Sequence, residues 1–189
     1  DHKFNEIAER KDLLSKYKLD PSLPIVLIMG GGQGLGPIKT IVRSLERSRT
    51  ELQEIVVAGT NTRLLDSLKR KIKRYKKKVL LFGYTHHINE LMSLADVVIS
   101  KPGGVTTAEA LSLGKPMVIV KPLPGQEASN TSYLCAKGAA IKVENPRKIN
   151  LVIDSLFSNH LKLEAIREVA KNTGKPNASF DIAKLILRK

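Results

Sequence analysis

Residues 25–37 read Ile25-Val26-Leu27-Ile28-Met29-Gly30-Gly31-Gly32-Gln33-Gly34-Leu35-Gly36-Pro37. The apolar run is strand-sized and shows no alternation, as expected of a strand buried on both faces. A glycine turn follows, and Pro37 stands where a helix can begin, because proline is tolerated in a first turn. Ile38, Ile41, Val42 and Leu45 then supply that helix with a buried face. Working outward, the same alternation recurs. Strands are predicted at 54–58, 79–82, 96–100, 117–120 and 140–143, with helices at 62–77, 87–94, 106–113 and 128–137. Short β-branched runs alternating with amphipathic ones predict βαβ units, an α/β fold with a Rossmann-like, doubly wound, parallel six-stranded sheet. Residues 1–20 read as a leading helix (3–18) closed before Asp20-Pro21. Residues 146–189 read as two or three helices, broken by Gly174-Lys175-Pro176. No repeat, low-complexity tract or linker divides the chain, so 1–189 is expected to be a single domain.

Composition bounds the function. The chain has 189 residues, 42% of them hydrophobic, enough for one sizeable core. No apolar run approaches the roughly 20 residues that cross a bilayer, and no signal peptide is visible. The expected location is cytoplasmic. The sequence starts at Asp1 without a methionine, which reads as a processed or cut end, so an upstream domain is expected. Cys135 is the sole cysteine, which excludes an internal disulfide and, within an apolar helical run, reads as a small core residue. His2, His86, His87 and His160 lack metal-ligand spacing, and no metal or other cofactor is expected.

The net charge is +14, and eight of the ten residues from Lys69 to Lys78 are basic. Leu64, Leu65, Leu68, Ile72 and Tyr75 fall on one helical stripe, leaving the lysines the other faces. A solvated face is the plain reading. An anionic membrane surface is the alternative partner for Lys69–Lys78, at the inner face of the cell membrane. Nucleic acid is disfavoured, because only 4% of the chain is aromatic and no rings interleave with the charge.

The distinctive residues cluster in the loops after the predicted strands. These are Gly30 to Gly36, Gly59-Thr60-Asn61, Gly83-Tyr84, Lys101-Pro102-Gly103-Gly104-Val105-Thr106-Thr107 and Pro122-Leu123-Pro124-Gly125-Gln126-Glu127. Ligands of open parallel sheets bind outside the carboxyl ends of the strands, which places the site at this edge. The first glycine run fits neither a dinucleotide fingerprint, which needs glycines at i, i+2 and i+5, nor a P-loop, which needs Gly-Lys-Ser/Thr. It remains a turn whose backbone N–H groups can meet phosphate. Gly103-Gly104, with Thr106 and Thr107 in a first helical turn, form a better diphosphate cradle. Glu109 has two readings from its position alone. It can accept hydrogen bonds from both hydroxyls of a ribose, or it can close a Thr106-x-x-Glu109 capping box. Gln126, Glu127 and Asn130 offer amide and carboxylate groups suited to sugar hydroxyls.

Together the run Gly30–Gly36, the segment Ser100-Lys101-Pro102-Gly103-Gly104-Val105-Thr106-Thr107-Ala108-Glu109-Ala110 and the segment Lys121-Pro122-Leu123-Pro124-Gly125-Gln126-Glu127 resemble the carboxyl-terminal domain of the diacylglycerol glycosyltransferases. That family includes processive diacylglycerol glucosyltransferases and monogalactosyldiacylglycerol synthases. It is related to the enzyme that adds N-acetylglucosamine to lipid I. The likeness covers residues 24–145 and continues more loosely beyond. It implies one half of a GT-B enzyme, inverting and metal-independent, whose carboxyl-terminal domain holds a UDP-hexose donor. By resemblance, Gly103, Gly104 and Thr106 cradle the diphosphate and Glu109 takes the ribose. Gln126 and Glu127 hold the hexose with Asn130 in support, and Tyr84 flanks the uracil. Gly32 and Gln33 lie near the phosphates and acceptor. Gly31, Gly34 and Thr107 complete the expected set.

The general base and the lipid acceptor, diacylglycerol by resemblance, belong to the amino-terminal domain. That domain is expected to be absent here, leaving a chain that binds UDP without turnover. Three rivals remain: a peptidoglycan-precursor N-acetylglucosaminyltransferase, a UDP-sugar epimerase, and a basic module for membrane or nucleic acid.

Overall fold

The computed structural model describes Phe4 and residues 8–187. Six strands form one sheet: β1 (Ile25–Met29), β2 (Gln53–Val57), β3 (Lys78–Phe82), β4 (Val97–Ser100), β5 (Met117–Val120) and β6 (Ala140–Val143). Their spatial order is β3-β2-β1-β4-β5-β6, and every neighbouring pair is parallel. In register, Leu27 of β1 lies between Ile55 of β2 and Val98 of β4.

Helices cover both faces, which is why β1 reads as an unbroken apolar run. Ile25, Leu27 and Met29 pack with Leu13, Leu91, Ala110, Leu134 and Ala170 on one side. Val26 and Ile28 pack with Ile38, Ile41, Leu64, Leu68, Ile153 and Ile166 on the other. Each fully buried Leu or Ile contributes roughly 1.5–3 kcal/mol from removing its side chain from water.

The helices are α1 (Arg10–Lys16), α2 (Ile38–Leu45), α3 (Thr62–Ile72), α4 (Ile88–Leu94), α5 (Gly104–Ser112), α6 (Gln126–Lys137), α7 (Ile149–Ser158), α8 (His160–Thr173) and α9 (Ala178–Leu187). A short 3-10 turn, Pro146–Lys148, precedes α7. Part of the predicted leading helix falls at residues 3 and 5–7; of these predicted positions, 3 and 5–7 lie outside the described residues. No residue of α9 is buried, and Phe180, Ile182, Leu185, Ile186 and Leu187 are all exposed.

The basic helix ends at Ile72 rather than at 77. Neighbouring cations at Lys69, Arg70, Lys71, Lys73 and Arg74 repel at helical spacings. Glu46, just past α2, accepts the backbone N–H groups of Lys76 (2.8 Å) and Lys77 (3.3 Å), which draws the chain out of the helix and into β3. Tyr75 therefore packs against the core from a turn, not from the α3 stripe. Lys77 is also not solvated: it is buried, and its Nζ donates to Thr50 O at 2.8 Å, with Glu51 at 3.8 Å.

Helix α5 starts two residues earlier than expected, with Gly103 as its N-cap. Helix α6 likewise starts at Gln126 rather than Ala128. Both shifts lengthen the helix towards the carboxyl edge of the sheet.

Candidate functional site

Strand order reverses between β1 and β4: the chain leaves β1 towards β2 and β3 on one side and resumes at β4, β5 and β6 on the other. The loops after β1 and β4 must then part, and a crevice opens between them. A cavity of about 260 Å³ lies there, lined by Gly30, Gly31, Gly32, Gln33, Leu35, Lys101, Gly103, Thr106 and Glu127. Five of the expected first- and second-loop residues thus meet in one place, joined by Glu127 from the start of α6.

The first loop is held by its own backbone. Gly34 N donates to Gly31 O (3.0 Å) and Leu35 N to Gly30 O (2.9 Å). It is also locked to the loop after β2, where Thr60 N donates to Gly32 O at 2.9 Å. Gly34 is buried at this junction with φ +58°, and a β-carbon there would lie 1.9 Å from Ala58 O. The structure places Gly34 in the wall between two loops. It faces a separate cavity shared with Gly36, Pro37, Asn61 and Arg63.

Helix α5 brings its N-terminus to the crevice. Thr107 N closes the first turn on Gly103 O at 2.9 Å, so the N–H groups of Gly104, Val105 and Thr106 have no acceptor within the helix. They carry the positive end of the helix dipole. Because Gly103 is the N-cap, Thr106 lies inside the helix and the Thr106–Glu109 capping box does not form. Glu109 stands one turn along, half-buried, and burial raises its carboxyl above the usual range. Among the described residues its carboxylate has no hydrogen-bond or ion-pair partner. Thr107 Oγ1 is buried and also unpartnered.

Helix α6 closes the site from the third side. Lys101 Nζ pairs with Glu127 Oε1 at 2.9 Å, and Leu123 N donates to Glu127 Oε2 at 2.7 Å. Both carboxylate oxygens of Glu127 thus hold the surrounding loops. Asn130 Nδ2 donates to Pro102 O at 2.9 Å, tying α6 to the loop before α5. Gln126 is exposed, and its Nε2 lies 3.7 Å from where a Gly104 β-carbon would stand. Tyr84 does not line the cavity; it is exposed beyond β3, its ring edge-on to His86 at 5.2 Å.

Lys101 was not among the expected site residues: the sequence places it directly before Pro102-Gly103, but only the strand order brings it against Glu127. Among the described residues, no three His, Cys, Asp or Glu side chains cluster as a metal would require.

The β1–β4 crevice is walled by glycine loops and a helix N-terminus, an arrangement able to meet phosphate. The glycosyltransferase family 28 C-terminal domain matches residues 25–186. The chain belongs to that family. It is 36% identical over 177 residues to a processive diacylglycerol beta-glucosyltransferase of Bacillus licheniformis, covering 93% of this chain and 46% of that protein. The chain thus spans about half the length of the curated relatives it matches. Among solved structures, Acinetobacter baumannii MurG superposes with a TM-score of 0.75 at 20% identity, over 96% of this chain and 54% of that one. Anabaena Alr3699/HepE in complex with UDP-glucose gives a TM-score of 0.68 at 17% identity, over 89% and 49%. These likenesses establish the fold as that of one half of a GT-B glycosyltransferase.

Proposed function

We propose that this family 28 domain is the donor-binding part of an inverting glycosyltransferase that moves a hexose from a UDP-sugar to a lipid, diacylglycerol being the acceptor. The observation that carries the reading is the junction of the β1 and β4 glycine loops with the N-terminus of α5. It offers free N–H groups and a helix dipole to a diphosphate. Glu109 then takes the ribose hydroxyls, and Gln126 reaches the hexose from the first turn of α6. Glu127 has a double role, holding Lys101 beside the phosphates and keeping one edge towards the sugar.

In the reaction, an acceptor oxygen forms a bond to the anomeric carbon as the bond from that carbon to the β-phosphate oxygen breaks. UDP leaves with the electron pair, and the acceptor's proton goes to a base outside this chain. Lys101 and the α5 N–H groups stabilise the charge that grows on the leaving diphosphate. Among the described residues no helix is long and apolar enough to cross a membrane. The reading places the whole enzyme peripherally at the cytoplasmic face of the membrane that holds its lipid.

Calorimetry of this chain with UDP and ADP tests the site. UDP is expected to bind, and Glu109→Gln to weaken it about 10- to 100-fold, the scale of losing hydrogen bonds to a charged acceptor. Tighter ADP binding, or an unaffected Glu109→Gln, refutes the site. A donor screen with UDP-glucose, UDP-galactose and UDP-N-acetylglucosamine, run on the intact parent enzyme with diacylglycerol, tests the reaction. An epimerised sugar nucleotide, or transfer only to a peptidoglycan precursor, refutes the proposed acceptor.

A further inference from the structure

A second cleft lies between α2 and α3 and shares no lining residue with the β1–β4 cavity. Its first chamber, about 380 Å³, is lined by Lys39, Thr40, Arg43, Arg47, Lys71 and Arg147. An adjoining chamber of about 460 Å³ shares Arg43 and Lys71 and adds Arg70, Arg74 and Tyr75. The two chambers hold seven cations and no carboxylate.

Three features separate this cleft from an ordinary solvated basic face. First, its cations come from three places in the sequence. Lys39, Arg43 and Arg47 recur every four residues along α2 and just past its end, Arg70, Lys71 and Arg74 come from α3 and its exit, and Arg147 comes from the turn before α7. The lysine-rich run alone does not build it.

Second, none of the seven has an ion-pair partner among the described residues, whereas Arg10, Lys16, Lys101 and Lys142 each have one and Arg167 has two. Glu46, which precedes Arg47 in sequence, is already bound by the N–H groups of Lys76 and Lys77. Third, the cleft is concave and five of its seven cations are arginines. Their forked donors match phosphate oxygens two at a time. A single phosphate neutralises at most two charges, so the match is to several phosphates held close together. Tyr75 is the one aromatic ring in the lining, which gives stacked bases little to rest on.

We propose that the α2–α3 cleft is a binding site for a ligand with clustered phosphate groups, separate from the nucleotide-sugar site and not dependent on that assignment. Like charges gathered without counter-ions repel, so the ligand stabilises the fold as well as binding to it. Its affinity falls as salt rises, because the cations are exposed to screening.

The test is calorimetry with sodium tripolyphosphate at physiological ionic strength, on the wild-type chain and the Arg43→Gln/Arg147→Gln double variant, with circular dichroism to check folding and UDP titrated in parallel. Saturable binding to wild type, weakened at least about tenfold in the variant, with UDP binding unchanged, supports the site. Sedimentation with phosphatidylcholine vesicles, with and without an equal part of cardiolipin, separates the sources. Cardiolipin-dependent binding that tripolyphosphate displaces assigns a lipid headgroup, and tripolyphosphate binding without vesicle binding assigns a soluble ligand. The proposal fails if neither probe binds, if the double variant binds as wild type, or if an oligonucleotide at equal phosphate concentration binds more tightly than tripolyphosphate. Should the double variant misfold, Lys39→Gln/Lys71→Gln carries the same comparison.

Discussion

Glu54 sits within β2, fully buried, with neither carboxylate oxygen hydrogen-bonded among the described residues. Burial holds its carboxyl well above the usual range, the nearby Glu46 adds to this, and Lys77 offsets part of it. An acid whose folded value is raised keeps its proton in the folded chain at pH values where the unfolded chain releases it. Folding is therefore favoured most below the unfolded value of about 4.3 and less as pH rises from there towards the folded value. Replacing Glu54 with Leu removes both the burial cost and the pH term. The variant is expected to gain about 1–3 kcal/mol at pH 7, with a flatter stability profile above pH 4, read by urea denaturation across pH. An unchanged or lower midpoint at pH 7 refutes the account. Nothing in the sequence marked Glu54, because a lone acid in an apolar run reads as a wet position until both faces of the strand are covered. Gly34 illustrates the reverse: the glycine run was visible, but the carbonyl of Ala58 that forbids a side chain there belongs to another loop.

Elements meet at the site through few contacts: beside the Lys101–Glu127 ion pair, one hydrogen bond ties α6 to the loop before α5. The Asn130 amide carries the direct hydrogen bond between α6 and the loop before α5. Asn130→Ala is expected to lower stability by about 1 kcal/mol. It should weaken UDP binding several-fold as the cradle loosens, although Asn130 lies outside the cavity lining. Calorimetry paired with urea denaturation checks this, and loss of stability with unchanged UDP affinity contradicts it. At this scale the strands were readable: β1, β5 and β6 fall where predicted, β1 and β5 because burial on two faces writes itself into consecutive residues, whereas edge strand β6 leaves Lys142 exposed. Helix ends were less so. The end of α3 depends on Glu46, thirty residues upstream, and the start of α5 on glycines that a propensity argument assigns to a loop. That shift removes the capping-box reading of Glu109.

For the molecule as a whole, one sheet carries every loop of the site, so occupying the β1–β4 crevice should stabilise the entire unit. At a UDP concentration of 100 times Kd, linkage adds about 2.7 kcal/mol. For a chain of this length that corresponds to a Tm rise of about 5–11 °C. Scanning calorimetry with and without UDP measures it, and a shift confined to a minor transition contradicts a single cooperative unit. The site's edge was legible from the sequence because glycine and small polar residues gather after the strands. Which loops are neighbours was not, since strand order is a property of the assembled sheet. The pairing of Lys101 with Glu127 and the convergence of α2, α3 and the turn at 146–148 on one basic cleft escaped for the same reason.

Helix α9 gives none of its side chains to either core. Ending the polypeptide at Gly174 accordingly takes no packed residue from the sheet layers, and a shortened version is the natural starting material for crystals. Retained, the helix leaves Phe180, Ile182, Leu185 and Ile186 facing solvent.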